Sequence, residues 1–262
     1  MTAKPTALQL YTVREQLNAD RAGVLAQVAA MGYGAVEPFG ILDDPDGLRA
    51  DLDATGLFAC SVHAAPTGED AEAVVRAART LGADTVIIPY LPPPRFADAD
   101  SVQALARELT ELAAWTAGQG LRLGYHNHDF ELSSLVGGVP ALEVLADYLG
   151  DAVLLEVDTY WAAVGGQDVP ALLGRLGDRV RYLHVKDGPV VDRDDFMTAL
   201  GIGRMPLAEI LTASPSVRWH VVELDRCATD MMTAVGDSLA WLTSQGLAKL
   251  GQPGPAQRRS GA

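Results

Sequence analysis

This chain of 262 residues has few cysteines, few basic residues and no long apolar run, and each scarcity excludes a class of protein. Its 2 cysteines, Cys60 and Cys227, are too few and too far apart for a disulfide framework or a zinc knuckle. No segment approaches ~18 consecutive apolar residues and the first residues lack an apolar signal segment, which predicts no membrane span and a cytoplasmic location. The 20 Lys and Arg against 34 Asp and Glu give a net charge of −14, which opposes binding to nucleic acid.

The remaining composition is typical of a globular protein. Hydrophobic residues make up 48% of the chain and charged residues 21%, which leaves enough apolar material for a large core. We therefore expect a protein that acts on a small molecule, without a nucleic-acid or membrane partner. Four of the 5 histidines stand at or just after the ends of apolar runs, which is not typical of solvated surface histidines.

Eight short apolar runs alternate with amphipathic stretches along the chain. Continuous apolar runs of this length are typical of strands buried on both faces of a parallel sheet. The runs begin between 23 and 37 residues apart, a spacing that fits βα units, and eight such units close a barrel. The predicted strands cover residues 7–13, 35–39, 58–63, 85–90, 121–126, 153–158, 180–185 and 217–224.

These strands predict an α/β fold, a single-domain (β/α)8 TIM barrel over residues 1–250. An open doubly wound sheet is the alternative, but that fold favours a glycine-rich loop after the first strand. This chain has Val13, Arg14, Glu15 and Gln16 at that point instead. Residues 251–262 are rich in glycine, proline and polar residues, and we predict that they form a flexible C-terminal tail.

Acidic residues and histidines stand at the carboxyl ends of the predicted strands, where barrel enzymes gather their chemistry. His126, Asp158, His184 and Glu223 end the fifth to eighth strands. Carboxylate oxygen and imidazole nitrogen together suit a divalent ion such as Mn²⁺, Zn²⁺, Co²⁺ or Mg²⁺. We predict that these four residues surround one ion, with a structural ion pair as the alternative. For His126, the alternative is that its ring orients another ligand.

Seven segments that span nearly the whole chain carry a further signal. They are LQLYTVR (8–14), GAVEP (34–38), YHNHDFE (125–131), EVD (156–158), LHVKD (183–187), GIG (201–203) and VELD (222–225). In this order they resemble the sugar phosphate isomerase/epimerase group of the xylose isomerase-like TIM barrel superfamily. That superfamily also contains inosose dehydratases and type IV endonucleases.

The resemblance implies one divalent metal ion, with Mn²⁺ as the first expectation. Ketose epimerases of the group hold it with Glu, Asp, His and Glu from strands 5 to 8, and Asp158, His184 and Glu223 match the last three. His126 stands where the epimerases carry a catalytic Glu. Their scheme uses one carboxylate on each face of the substrate, so here Glu223 would serve one face and His128 the other. The His-Asn-His pattern at 126–128 also resembles dehydratases and keto-sugar lyases.

His128, Glu223 and Lys186 are the predicted catalytic residues. His128 lies on the same strand face as His126, and an ordinary histidine pKa of ~6.5 suits a general base near neutral pH. The alternative for His128 is a core histidine bonded to a backbone carbonyl. Lys186 would bind a phosphate or stabilise an enolate oxygen, and its alternative is an ion pair with Asp187.

The predicted substrate-binding residues are Tyr11, Glu37, His63, Glu131 and Trp161. Tyr11 and Trp161 offer aromatic walls for a sugar face, or only pack at the rim. Glu37 would bond a substrate hydroxyl, or form a salt bridge with Arg14. His63 would contact substrate or be a buried, satisfied histidine, and Glu131 would hold a hydroxyl or support a histidine.

Together these residues predict a metal-dependent isomerase or epimerase that acts on a keto-sugar or sugar phosphate through an enediolate. The alternative is a lyase or dehydratase of a keto-sugar, keto-inositol or 3-keto-glycoside that uses the same site. Two rivals are an endonuclease IV-like phosphodiesterase, which the charge of −14 opposes, and a non-catalytic sugar-binding barrel. Dimers and tetramers are common among barrel enzymes of this type, so a homo-oligomer is an additional expectation.

Overall fold

The computed structural model describes residues 3–250, so the predicted flexible tail at 251–262 lies outside the described residues. Within this range, ten strand segments form one sheet and two more form a small antiparallel hairpin. The sheet segments are β1 Lys4–Gln9, β2 Ala35–Glu37, β3 Phe58–Ala59, β4 Val62–His63, β5 Thr85–Ile88, β6 Arg122–His126, β9 Leu154–Asp158, β10 Val180–Val185, β11 Trp219–Val222 and β12 Ala248–Lys249. The hairpin consists of β7 Leu135–Val136 and β8 Val139–Pro140.

The sheet is a nearly closed parallel barrel. Its segments follow the order β3-β2-β1-β11-β10-β9-β6-β5-β4, and β12 pairs in parallel with the first two residues of β1. β3 and β4 are two parts of one interrupted strand, because β3 pairs with β2 and β4 pairs with β5. His63 N donates to Pro38 O at 2.8 Å, which joins the two edges. Each of the eight predicted strands has a counterpart in the barrel, and the TIM barrel fold is therefore confirmed.

The first strand lies earlier in the chain than predicted. We expected strand conformation over residues 7–13, but β1 ends at Gln9 and Leu10–Val13 forms a 3₁₀ helix. The Gln9 side chain accepts a hydrogen bond from Tyr11 N at 3.0 Å, which satisfies a backbone donor at the start of this helix. The chain therefore turns away from the barrel axis earlier than its apolar run indicates.

Helices alternate with the strands around the barrel. They are α1 Arg14–Met31, α2 Pro45–Thr55, α3 Ala71–Leu81, α4 Ala99–Gly118, α5 Phe130–Ser133, α6 Ala141–Leu149, α7 Thr159–Val164, α8 Val169–Leu176, α9 Leu207–Ala213 and α10 Met231–Ser244. Aspartates begin several of them; Asp98, for example, accepts from Ser101 N at 2.8 Å at the start of α4. None of the helices in residues 3–250 is long and apolar enough to cross a membrane.

The barrel interior contains a compact group of apolar side chains, separate from the larger core between sheet and helices. Its buried members, which we call the apolar layer, are Ala7, Ala35, Cys60, Ile87, Tyr182, Trp219 and Val221. Because strand residues alternate between faces, the residues two positions further along each strand also point inward. Those positions lie toward the carboxyl ends of the strands, where the predicted site begins.

Candidate metal centre and active site

Above the apolar layer, the barrel interior is filled by polar and ionisable side chains. We call this set the ionisable layer, and its members are Gln9, Glu37, His63, His126, Glu156, Asp158, His184, Lys186 and Glu223, all of them buried. Strand alternation places most of them; Glu37, for example, lies two residues after Ala35. Burial of a charge costs free energy unless the charge is paired or binds a metal, so each charged group in this layer needs a partner of opposite charge or a metal ion.

His63 reaches this layer because its strand is interrupted. Strict alternation from Cys60 in the apolar layer would point Val62 inward and His63 outward. Instead Val62 packs in the outer core, and His63 Nε2 lies 2.6 Å from Glu156 Oε2 and 3.1 Å from Glu37 Oε2. The break between β3 and β4 thus changes which face the following residues present.

The four predicted metal ligands come together at the carboxyl ends of β6, β9, β10 and β11. One ligand atom from each of His126, Asp158, His184 and Glu223 lies within 4.8 Å of the others, and all four residues are buried. His184 Nδ1 is 2.6 Å from Glu223 Oε2, and His126 Nε2 is 3.9 Å from Asp158 Oδ2. The arrangement has the donor types and the closeness that a divalent cation needs.

Glu156 is a central residue that was not among the predicted ligands. Its Oε2 lies 2.6 Å from His63 Nε2, 3.1 Å from His184 Nε2 and 3.2 Å from His126 Nδ1. These four residues form a second group whose ligand atoms lie within 4.8 Å of one another. Glu156 Oε1 is buried and has no hydrogen-bond partner among residues 3–250. Alternation from Asp158, two positions later on β9, is the signal that could have identified Glu156.

Glu37 belongs to the floor of the site rather than to its mouth. It is fully buried, and its Oε2 accepts from Gln9 Nε2 at 2.8 Å and lies 2.7 Å from His184 Nε2. Ser61 Oγ donates to its other carboxylate oxygen. The alternative salt bridge with Arg14 is wrong, because that guanidinium donates to the backbone carbonyls of Tyr11 and Asp225 instead.

Lys186 is fully buried and holds three carboxylates together. Its Nζ lies 2.8 Å from Asp158 Oδ2, 2.7 Å from Glu223 Oε2 and 2.6 Å from Asp225 Oδ2. The alternative partner Asp187 points to the other side and accepts backbone N–H groups, among them that of Gly203 at 3.0 Å. The predicted Lys186–Asp187 pair is therefore wrong, because consecutive residues at the end of β10 face opposite ways.

The electrostatics of the layer follow from its charge pairs. Burial would lower the pKa of His63, but the carboxylates of Glu37 and Glu156 outweigh it and raise this pKa to about 10. Burial would likewise lower the pKa of His184, but Glu156 and Glu223 raise it well above its usual value. Both imidazoles are thus held in their charged form by the carboxylates around them.

The carboxylates respond in the complementary way. Burial would raise the pKa of Glu156, but the charge of His184 lowers this pKa well below the usual range. Burial would also raise the pKa of Glu223, but the charges of Lys186 and His184 lower it well below the usual range. Burial raises the pKa of Asp158, although the Lys186 ammonium opposes this shift. The layer therefore gathers anionic oxygens that need a nearby positive charge.

Aromatic side chains and His128 line the mouth above the ionisable layer. The His128 ring centroid lies 5.3 Å from that of His126, 5.4 Å from that of Tyr90 and 5.8 Å from that of Phe130. His128 is partly exposed, and Glu131 Oε2 accepts from its backbone N at 2.9 Å. The predicted base thus lies beside a metal-ligand candidate and within reach of the mouth.

The other predicted substrate-binding residues lie at different depths. Tyr11 is 41% exposed at the rim, where its ring packs edge-on against Phe39. Trp161 is buried, with Lys186 Nζ 5.5 Å from its ring centroid. Glu131 is fully buried, and Tyr125 Oη donates to it at 2.5 Å. Tyr11 can meet a ligand directly, whereas Glu131 supports its neighbours.

Solved structures with similar folds include enzymes and a zinc-binding protein. A sugar phosphate isomerase/epimerase from Parabacteroides distasonis ATCC 8503 is 23% identical, with a TM-score of 0.75, over 95% of this chain and 96% of that chain. The probable 3-DHS dehydratase AsbF from Bacillus anthracis is 12% identical, with a TM-score of 0.71, over 93% of this chain and 99% of its own. An IOLI protein with a bound zinc atom is 15% identical, with a TM-score of 0.67, over 93% and 98%. At these identities the likeness shows the fold.

The sequence itself identifies the family. The curated proteins contain no significant match to this chain. The model of the xylose isomerase-like TIM barrel family matches residues 25–245, which is most of the chain. The barrel and the alternation of strands and helices agree with this match. The chain belongs to the xylose isomerase-like TIM barrel family.

Proposed function

We propose that the protein is a divalent-metal-dependent isomerase or epimerase that acts on a keto-sugar or a keto-sugar phosphate through an enediolate. The observation that carries this proposal is the group formed by His126, Asp158, His184 and Glu223, whose ligand atoms lie within 4.8 Å of one another at the carboxyl ends of four adjacent strands. In barrels of this type, that end of the strands is where catalysis takes place.

The residues present fit a divalent ion. Burial, followed by the charge of His184, lowers the pKa of His126 well below its usual value, so this imidazole is neutral and its nitrogen lone pair is available. Asp158 and Glu223 supply carboxylate oxygens, and His184 would supply a nitrogen once the ion displaces its proton. Mn²⁺ is our first choice for this mixture of nitrogen and oxygen, with Zn²⁺, Co²⁺ and Mg²⁺ as alternatives. The bound ion would act as a Lewis acid that makes the proton next to the substrate carbonyl more acidic.

The side chains around the ion position would move the proton and stabilise the charge. Glu223 or His128 removes the proton α to the carbonyl. The same residue returns it to the neighbouring carbon for isomerisation, or the other residue, in its protonated form, delivers a proton to the opposite face for epimerisation. The Lys186 ammonium stabilises the negative oxygen that develops meanwhile, or binds a substrate phosphate. Lys186 lies 2.7 Å from Glu223, so the stabilising charge and one candidate base lie side by side.

The remaining predicted residues have supporting roles in this proposal. Tyr11 and Trp161 pack against a face of the sugar. Glu131 fixes His128 through the backbone hydrogen bond at 2.9 Å. Glu37 and His63 form the floor, and we keep them as predicted contacts for the part of the substrate that reaches deepest.

A lyase or dehydratase reaction is the second candidate, favoured by one observation. The residue of the metal group that β6 supplies is His126 and not a carboxylate. Elimination from a keto-sugar needs one base for the α proton and one acid for the leaving group, and Glu223 and His128 can provide these while His126 holds the ion. His128 lies beside His126, with ring centroids 5.3 Å apart.

Incubation of the metal-loaded protein with keto-sugars and their phosphates in D₂O separates these reactions. Deuterium uptake without loss of water or an aglycone supports the isomerase or epimerase, and an unsaturated product supports the lyase. The chelator-treated protein is the matched control and should exchange no deuterium. Exchange that is equal with and without the metal contradicts the proposal.

A further inference from the structure

Lys186 shares its carboxylate oxygens with the candidate metal group. Asp158 Oδ1 accepts a hydrogen bond from Trp161 N at 2.9 Å at the start of α7, so Oδ2 is the oxygen that remains for a cation. That same oxygen lies 2.8 Å from Lys186 Nζ. Glu223 Oε2 lies 2.7 Å from Nζ and 2.6 Å from His184 Nδ1. The ammonium therefore contacts the oxygens that a metal ion on this group would use.

A lysine ammonium and a divalent ion on the same two oxygens repel each other. Metal–oxygen bonds of about 2.1 Å would bring the ion within roughly 5 Å of the nitrogen if the ammonium stayed in place. Each oxygen would then be shared between two cations in a water-poor interior, where charges are weakly screened. Binding of one cation must weaken the hold of the other.

Asp225 offers the ammonium a place away from the metal group. Its Oδ2 lies 2.6 Å from Lys186 Nζ, and its side chain is 27% exposed, whereas Asp158 and Glu223 are almost completely buried. Arg14 Nη2 donates to the Asp225 carbonyl at 3.0 Å, which fixes this residue at the rim. Asp225 is outside both groups that could hold an ion.

We propose that Lys186 and the divalent ion compete for Asp158 and Glu223, and that Asp225 is the positioning residue that retains the Lys186 ammonium when the ion binds. The proposal rests on the metal site of the proposed function and adds a determinant of its affinity. It also gives Lys186 a defined position beside the ion, where its charge can act on a substrate oxygen.

Calorimetric titration of Mn²⁺ into the chelator-treated full chain tests this competition without any activity measurement. Lys186→Met keeps the length of the side chain and removes its charge, so we expect Mn²⁺ to bind about tenfold tighter or more. Asp225→Asn leaves the ammonium with only the two shared carboxylates, so we expect binding about three- to tenfold weaker. The double variant should bind like Lys186→Met, since Asp225 acts through the ammonium.

Two control variants change the same residue types elsewhere. Lys4→Met removes a lysine that donates to Pro215 O, and Asp84→Asn changes an aspartate paired with Arg122. Neither should alter Mn²⁺ affinity. Circular dichroism checks folding; if Lys186→Met does not fold, Lys186→Gln takes its place, and Asp225→Asn tests the opposite sign independently.

The results separate this inference from the function on which it rests. One ion bound to the wild-type chain, with equal or weaker binding in Lys186→Met, overturns the competition and leaves the proposed function standing. An Asp225→Asn effect of the same size with and without Lys186 overturns the role of Asp225. Absence of Mn²⁺, Zn²⁺, Co²⁺ and Mg²⁺ binding in all variants overturns the proposed function as well.

Discussion

The apolar layer and the ionisable layer fill the same barrel, and on four strands their residues lie two positions apart. The pairs are Ala7 and Gln9, Ala35 and Glu37, Tyr182 and His184, and Val221 and Glu223. All eight side chains are buried, so depth does not distinguish the layers. What differs is the interaction that stabilises the buried side chains: removal of apolar surface from water in the apolar layer, and ion pairs and hydrogen bonds in the ionisable layer.

The apolar layer stabilises the fold because its surface is removed from water. The ionisable layer gathers charged groups whose desolvation costs free energy, and ion pairs offset that cost only in part. A protein selected for stability alone would have apolar residues at the positions of the ionisable layer. The comparison indicates that the lower part of the barrel interior carries stability, and it supports the proposal that the upper part carries the chemistry.

The largest expected effect is on activity, from Glu223→Gln. This change keeps the side-chain shape but removes the charge of a metal-ligand candidate and predicted base, so turnover should fall by about 10³-fold or more. Lys186 keeps Asp158 and Asp225 as partners, so the free energy of unfolding should change less than in the apolar-layer variant described next. Steady-state kinetics and urea denaturation of the same preparation measure the two quantities.

The second effect is on stability, from Ile87→Ala in the apolar layer. Ile87 is fully buried, and its truncation should lower the free energy of unfolding by about 2–5 kcal/mol. Activity per folded molecule should remain, because Ile87 belongs to the apolar layer and supplies no group to the site. A large loss of activity in the folded fraction would contradict the division between the layers.

The neighbouring Gly124 sharpens this test. A Cβ added to Gly124 would lie 3.0 Å from Ile87 Cγ1, so Gly124→Ala should be destabilising in the wild-type chain. In the Ile87→Ala background, the new methyl group should instead fill part of the cavity and restore some stability. Equal destabilisation in both backgrounds would show that the two side chains do not share this space.

Strand positions were predictable because their signals are local. The apolar run at 180–185 coincides with β10 (Val180–Val185), and the predicted strand ends at His126 and Asp158 are the observed ends of β6 and β9. Apolar runs end where polar chemistry begins, so the same boundary marks both the strand end and the site. That is why the order of residues along the chain is enough to identify the four metal-ligand candidates.

The contacts between site side chains were less predictable, because they depend on which strands are neighbours in the barrel. Alternation could have indicated Glu156, but the contact of Lys186 with Asp225 requires knowledge that β10 and β11 are neighbours in this register. The inward turn of His63 depends on an interruption within residues 58–63 that no glycine or proline marks. The interruption shows only in the pairing, since β3 pairs with β2 and β4 pairs with β5, and the local sequence does not reveal which strands pair.

The last expected effect, which appears only at acid pH, concerns two histidines on neighbouring strands, His184 inside the barrel and His220 on its outer face. His220 is buried, and neither of its ring nitrogens has a hydrogen-bond partner among residues 3–250. Burial, followed by the charge of Lys4, lowers the pKa of His220 to about 3, the opposite direction from His184. The surroundings thus shift the pKa of the same residue type in opposite directions.

His220 should therefore make the fold sensitive to acid. Below the ordinary histidine pKa of 6.5, the unfolded chain takes up a proton that the folded protein excludes down to about pH 3. Stability should fall by about 1.4 kcal/mol for each pH unit in this window as a result of this one group. His220→Leu should remove this contribution and leave stability at pH 7 equal or higher, because no hydrogen bond is lost. Urea denaturation of both proteins at pH 7 and pH 4.5 gives the difference directly, since all other acidic groups contribute equally to both. Parallel losses of stability in the two proteins would mean that His220 takes up its proton in the folded state, and that the outer face of β11 is more polar than its neighbours indicate.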